Sequence, residues 1–110
     1  MQVDIPEMLI FFDTLLTDQT NEESGIYYLE SSLSDGLTIT FSFSIHENYV
    51  NISIRNESGT VLTHLLMKDC SEIRMLDQKR KLLEIIHTDS KLGRCFLSPL
   101  ENSIASYEEE

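Results

Sequence analysis

Leu37-Thr38-Ile39-Thr40-Phe41-Ser42-Phe43-Ser44-Ile45-His46-Glu47-Asn48-Tyr49-Val50-Asn51-Ile52-Ser53-Ile54-Arg55 is the stretch on which the fold turns. Ile39, Phe41, Phe43 and Ile45 alternate with Thr, Ser and His, the period of a half-buried strand. After Glu47-Asn48 the alternation resumes, with Val50, Ile52 and Ile54 between Tyr49, Asn51, Ser53 and Arg55. A two-residue Glu47-Asn48 turn sets Ile45 against Val50, Phe43 against Ile52 and Phe41 against Ile54. Asn48 suits the positive φ of such a turn and Glu47 suits it less. A slip of one residue would oppose every apolar side chain to a polar one, so the register is expected to be strongly specified.

The flanking chain extends this hairpin. Asp4-Ile5-Pro6-Glu7 is a helix start, with Pro expected at the first helical position and acids near the positive end of the dipole. Met8, Phe11, Phe12, Leu15 and Leu16 follow at helical spacing, and Leu9 and Ile10 widen that face. A helix over about 6–16 is expected. Ile26–Leu33 reads as a strand before the Ser34-Asp35-Gly36 turn. Thr60–Met67 continues the buried face, pairing Ile54 with Val61 and Val50 with Leu65. Leu62 and Leu66 make its other face apolar too, which predicts a central strand covered twice, the second time by the helix.

Glu72–His87 supports two readings. As a helix, Asp77 is the N-cap and Leu82, Leu83 and Ile86 form an inner face. As two strands, Met75 meets Leu83, Ile73 meets Ile85, Leu76 meets Leu82 and Arg74 meets Glu84. The cross-strand agreement, charge pair included, decides for strands. Arg94–Leu97 is a further strand. Ser98-Pro99-Leu100-Glu101 carries a proline start and a capping pattern, so a short helix or frayed tail is expected over about 99–110. The expected fold is α+β in a single domain, 1–110. It is an antiparallel sheet of about six or seven strands spanning about 26–98, covered on one face by the N-terminal helix.

Composition narrows the function classes. A hydrophobic content of 41% is that of a folded globule and not of a disordered chain. No apolar run approaches the ~20 residues of a membrane span. Met8–Phe12 is cut off by Asp13 and lacks a preceding positive charge, so no signal peptide is expected. Cys70 and Cys95 match no metal or redox spacing and read as reduced, buried thiols of a cytoplasmic protein. Asp18, Thr20 and Glu22 echo a calcium loop, but its glycine and closing glutamate fall at wrong offsets. His46, His64 and His87 have no serine or cysteine nucleophile in a recognisable context, and the four glycines form no phosphate loop. No enzyme, metal or cofactor is expected.

The net charge is −11, and its placement is uneven. Met1–Ile54 holds nine carboxylates and no Lys or Arg, while all eight basic residues lie between Arg55 and Arg94. Such a field repels nucleic acid and anionic membranes and attracts basic partners. The carboxylates expected to form a partner-binding surface are Asp18, Glu22, Glu23, Glu30, Asp35 and Glu47, placed in loops or near strand ends.

Leu37–Arg55, Arg80-Lys81-Leu82-Leu83-Glu84-Ile85-Ile86-His87 and Gly93-Arg94-Cys95-Phe96-Leu97 together resemble sheet segments of bacterial immunity proteins from contact-dependent growth inhibition systems. That resemblance implies a protein that binds one cognate toxin domain, often a nuclease, and blocks it. It transfers no binding residue by position. The rival expectation is a structural β-sheet protein that assembles with copies of itself.

Overall fold

The computed structural model describes residues 1–89, 94–99 and 105–108. The order is β1 (Gln2–Val3), α1 (Ile5–Phe11), β2 (Thr14–Leu15), β3 (Ile26–Ser32), a 3-10 turn (Ser34–Gly36), β4 (Thr38–Ser44) and β5 (Tyr49–Arg55). It continues with β6 (Val61–Met67), β7 (Cys70–Asp77), β8 (Leu82–His87), β9 (Arg94–Leu97) and β10 (Ala105–Glu108). The expected single sheet of six or seven strands is instead two sheets of five strands each. Sheet B runs β2-β3-β4-β5-β6 and sheet A runs β1-β7-β8-β9-β10. The division falls at Lys68-Asp69. There Asp69 takes a left-handed φ of 55° and Cys70 opens a strand of the other sheet. Each sheet has one apolar face, and the two faces share a core. Ile39, Phe41, Phe43, Val50 and Ile52 of sheet B are buried in one cluster with Ile73, Leu83, Ile85, Cys95 and Leu97 of sheet A.

The helix is shorter than its apolar spacing predicts. The Asp4 carboxylate caps it, accepting from the Glu7 amide at 3.1 Å. It ends at Phe11 because Phe12 is extended. Asp13 is then held by β3: its amide donates to Ser31 Oγ and its carboxylate accepts from the Ser32 amide. These bonds draw Thr14 and Leu15 into pairing with Glu30 and Leu29. Met8, Phe11 and Phe12 complete the core, Phe12 stacking on Phe41 at 4.9 Å, whereas Leu9 and Ile10 are exposed. Lys81 Nζ donates to the carbonyls of Ile10 and Phe11, placing a cation at the negative end of the helix.

The hairpin keeps the expected face and shifts its register by two residues. Phe43 pairs with Val50, Phe41 with Ile52 and Ile39 with Ile54. The loop is four residues long, 45–48, closed by the Asn48 amide on the Ser44 carbonyl and by the Glu47 amide on Ser44 Oγ. Only Asn48 (φ 59°) need be left-handed in this loop, so Glu47 avoids the strained conformation a two-residue turn would impose. β6 shifts likewise, with Val50 opposite Met67 and Ile52 opposite Leu65, and a bulge lies near Arg55. It is not central and doubly covered: it is an edge strand, and Leu62 and Leu66 face solvent.

Residues 72–87 are strands, with Ile73 opposite Ile85, Arg74 opposite Glu84 and Met75 opposite Leu83. A bulge before Asp77 sets Asp77, not Leu76, opposite Leu82. The expected C-terminal helix is not formed over 105–108, which pairs with β9 as β10. The open edge of β9 offers backbone partners, whereas a helix would have set Glu108 against its own negative end. Leu100, Glu101 and Ile104 of that expected helix lie outside the described residues.

Candidate partner-binding surface

Alternation places the small polar residues of sheet B on its outer face. Tyr28, Ser42, Asn51 and Leu66 form one row across four strands, and Glu30, Thr40, Ser53 and His64 form the next. His64 Nε2 and Asn51 Oδ1 lie 3.0 Å apart, so this histidine is an edge residue with a hydrogen-bond partner. Arg55 Nη2 donates to Glu30 at 3.2 Å and to Thr40 Oγ1 at 3.1 Å.

At one end of this face the loops are tied together through backbone bonds. The Ile45 amide donates to the Gly25 carbonyl, the Cys70 amide to Asn48, and the Thr88 amide to Asp69, at 2.9, 2.9 and 2.7 Å. The Met1 ammonium adds bonds to the Ile45 carbonyl and to Asn48 Oδ1. These ties gather Glu22, Glu23, Glu47, Asp69 and Asp89 at that end. A depression of about 380 Å³ opens there, lined by Glu47, Tyr49, Asn51, Leu66, Lys68 and Asp69. Burial, with Tyr28 and Glu47 nearby, pushes the Tyr49 phenol above its usual range. Carboxylates beside an aromatic ring and an exposed leucine suit the stem and head of a long basic side chain.

The six carboxylates named from the sequence do not form one patch. Glu22, Glu23 and Glu47 share the acidic end, and all three are exposed. Asp18 lies in the neighbouring turn, where Thr20 Oγ1 accepts from the Tyr28 amide. Glu30 is in mid-face, paired with Arg55. Asp35 sits at the opposite end, in the left-handed position of the turn between β3 and β4. Sequence reasoning missed Tyr49, Asn51, Leu66 and Asp69. The apolar second face of β6 was the available signal for Leu66, but it reads equally as burial.

Among the described residues no group of three or more His, Cys, Asp or Glu side chains is placed to hold a metal ion. No helix among them is long and apolar enough to cross a membrane.

No protein-family model matches the chain. No curated protein matches it in sequence. Among solved structures, it is similar in fold to a chain of the contact-dependent growth inhibition toxin–immunity protein complex from Klebsiella pneumoniae 342. The TM-score is 0.75 at 14% identity, and the match covers 99% of this chain and 95% of that one. The likeness in fold thus spans nearly the whole of both chains.

Proposed function

We propose that this chain is an immunity protein, a non-catalytic inhibitor that binds and neutralises one cognate toxin domain in the cytoplasm. The observation that carries the reading is the fold likeness over 99% of the chain to a component of a toxin–immunity complex. A complex of that kind has an acting partner and a blocking one. The acidity of this chain and the absence of a recognisable nucleophile context favour the blocking role. The toxin is proposed to be basic and to act on nucleic acid, since proteins that hold phosphates are commonly positive. An acidic inhibitor competes for that same positive surface.

Of the six carboxylates, Glu22, Glu23 and Glu47 are proposed to meet the toxin, joined by Asp69 and by Tyr49 and Leu66 in the depression between them. Asp18 flanks this surface. Glu30 is engaged by Arg55 and Asp35 lies away from it, so both are assigned lesser roles.

The test is co-expression with the toxin domain encoded beside this chain's gene. That domain is expected to arrest growth alone and to be tolerated with this chain present, the two forming a complex. Reversing Glu22, Glu23 and Glu47 to lysine should slow association, and the wild-type rate should fall with salt as screening shortens the field to about 10 Å at 0.1 M. Growth arrest that persists in the presence of the chain would reject the reading. Salt-independent association, unchanged in the reversed variant, would reject the acidic surface alone.

A further inference from the structure

Leu83 and Ile85 of β8 belong to the core shared by the two sheets, and alternation puts His87 on the same side, 8% exposed at the strand's end. For burial alone an apolar side chain would serve there, as it does at Leu83 and Ile85. A buried ring nitrogen instead needs a partner. Nδ1 of His87 lies 3.3 Å from the carbonyl of Lys68, in the turn that leads from β6 of one sheet to β7 of the other. A carbonyl only accepts, so Nδ1 carries the proton in this bond.

The turn that His87 reaches presents Asp69. Asp69 is exposed and holds a left-handed φ of 55°, a conformation that a residue with a side chain keeps where its surroundings fix it. It lines two depressions at the acidic end of the molecule. One is the hollow of about 380 Å³ with Glu47, Tyr49 and Leu66, and the other, of about 700 Å³, is lined with it by Asn48, Thr88 and Asp89. Backbone bonds secure the flanks of the turn, from the Thr88 amide to Asp69 and from the Cys70 amide to Asn48. Cys70 Sγ adds weak contacts to the carbonyls of Met67 and Lys68 at 3.7 and 3.9 Å. His87 supplies the strong side-chain donor.

On the inhibitor reading, on which this rests, we propose that His87 is a positioning residue of the partner-binding surface. By holding the Lys68 carbonyl it fixes the turn, so that the Asp69 carboxylate stands between the two depressions before a cationic side chain of the toxin arrives. A turn held in its bound shape loses less conformational freedom on binding. The ring itself is buried and acts through Asp69, not by touching the toxin.

The test is the affinity of the full chain for the toxin domain encoded beside its gene, with His87→Asn, His87→Gln and His87→Leu compared with wild type. Asparagine sets an N–H where Nδ1 stands, glutamine sets it one bond further out, and leucine has none. His87→Asn is expected to bind as wild type does, and the other two about tenfold more weakly, the scale of one hydrogen bond. In an Asp69→Asn background His87→Leu should cost little more, whereas in a Glu22→Gln background it should cost its full factor. Nitrogen NMR of the free chain at alkaline pH should show the His87 ring protonated at Nδ1. A histidine that serves only the core would move urea midpoints and leave the affinity of the folded chain alone. His87→Leu and His87→Gln binding as tightly as wild type would overturn the proposal while the inhibitor reading stands. Equal losses in the two backgrounds, or a ring protonated at Nε2 alone, would do the same. A wild type that does not bind the toxin domain would remove the inhibitor reading itself, and the role of His87 with it.

Discussion

The two outward faces of the sandwich handle charge in opposite ways. On sheet A, Glu84 is 3% exposed and is gripped from both sides, by Arg74 at 3.0 Å and Arg94 at 2.6 Å. Arg94 also lies over the Phe96 ring, 4.8 Å from its centroid. On sheet B the ion pair Glu30–Arg55 is about one-third exposed on each side, and the remaining face is Ser, Thr, Asn and Tyr. One face holds its buried carboxylate between two arginines, while the other leaves carboxylates at its end, Tyr49 and the β6 leucines turned outward. Arginines therefore mark where the protein holds its carboxylates in place, at Glu84 and at Glu30, whereas Glu22, Glu23 and Glu47 stand exposed.

Experiments can break this contrast at several depths. Phe41→Ala should cost most, about 3–5 kcal/mol, because the ring is fully buried between the sheets and against Phe12. Urea denaturation checks it, and a loss below about 1 kcal/mol would mean that the inner faces do not share a core.

Cys70, at the seam where β7 begins, has a thiol pushed up from 9.0 to about 11 by burial and by nearby Asp69. Its thiolate at pH 8 is then about a hundredfold scarcer than at an exposed cysteine, and alkylation should slow accordingly. The same shift works on stability. The folded state keeps the proton longer, so the contribution is full below about pH 9 and is lost as pH rises through about 11. Mass spectrometry of iodoacetamide-treated native and urea-unfolded protein measures the alkylation rates.

Glu84→Gln should cost about 1.5–3 kcal/mol, the range for a hydrogen bond to a charged group. Burial opposes the Glu84 charge, and the bonds from Arg94 and Arg74 overcome it, holding the carboxyl below its usual range. That stabilisation is present above the unfolded value near 4.3 and is lost as pH falls through the folded value. Wild-type melts should therefore weaken in acid more than those of the glutamine variant. Glu30→Gln, on the solvated face, should cost only about 0–1 kcal/mol. Equal losses at positions 30 and 84 would erase the contrast between the two faces.

What the sequence reveals of this arrangement is mostly parity. Ile73, Met75, Leu83 and Ile85 pair as their alternation predicts, and Arg74 meets Glu84 because opposite charges at facing positions select one register. The hairpin's buried face is legible for the same reason. Its register is not, because a shift of two residues leaves every side chain on its own face. Only the backbone preference of Glu47 separates a two-residue turn from a four-residue one. The split into two sheets rests on the turn at Lys68-Asp69 and on the crossing from β1 to β2 through the helix, and no periodicity announces either. β6 misleads because an apolar second face looks alike whether it awaits a helix or solvent. Glu22, Glu23 and Glu47 are legible as charge. Asp69 belongs to the basic half of the chain and joins them only in space, through the bonds that tie Cys70 to Asn48 and Thr88 to Asp69.

The order of strands also sets a sequence of events in time. Sheet B is a meander, each strand pairing with its chain neighbour, and it is complete at Met67. Sheet A needs β1 to reach across the chain, Gln2 beside Glu72 and Val3 beside Ile73, a closure that slows folding. A chain emerging from synthesis thus assembles an apolar face of Ile39, Phe41, Phe43, Val50 and Ile52 before its cover exists. Through that interval the part already made carries ten carboxylates against one arginine, Arg55, so nascent copies repel one another. Refolding from urea is expected to scatter more light as salt is raised, and folding yield to fall with it. The acidic first half would then act as the chain's own chaperone.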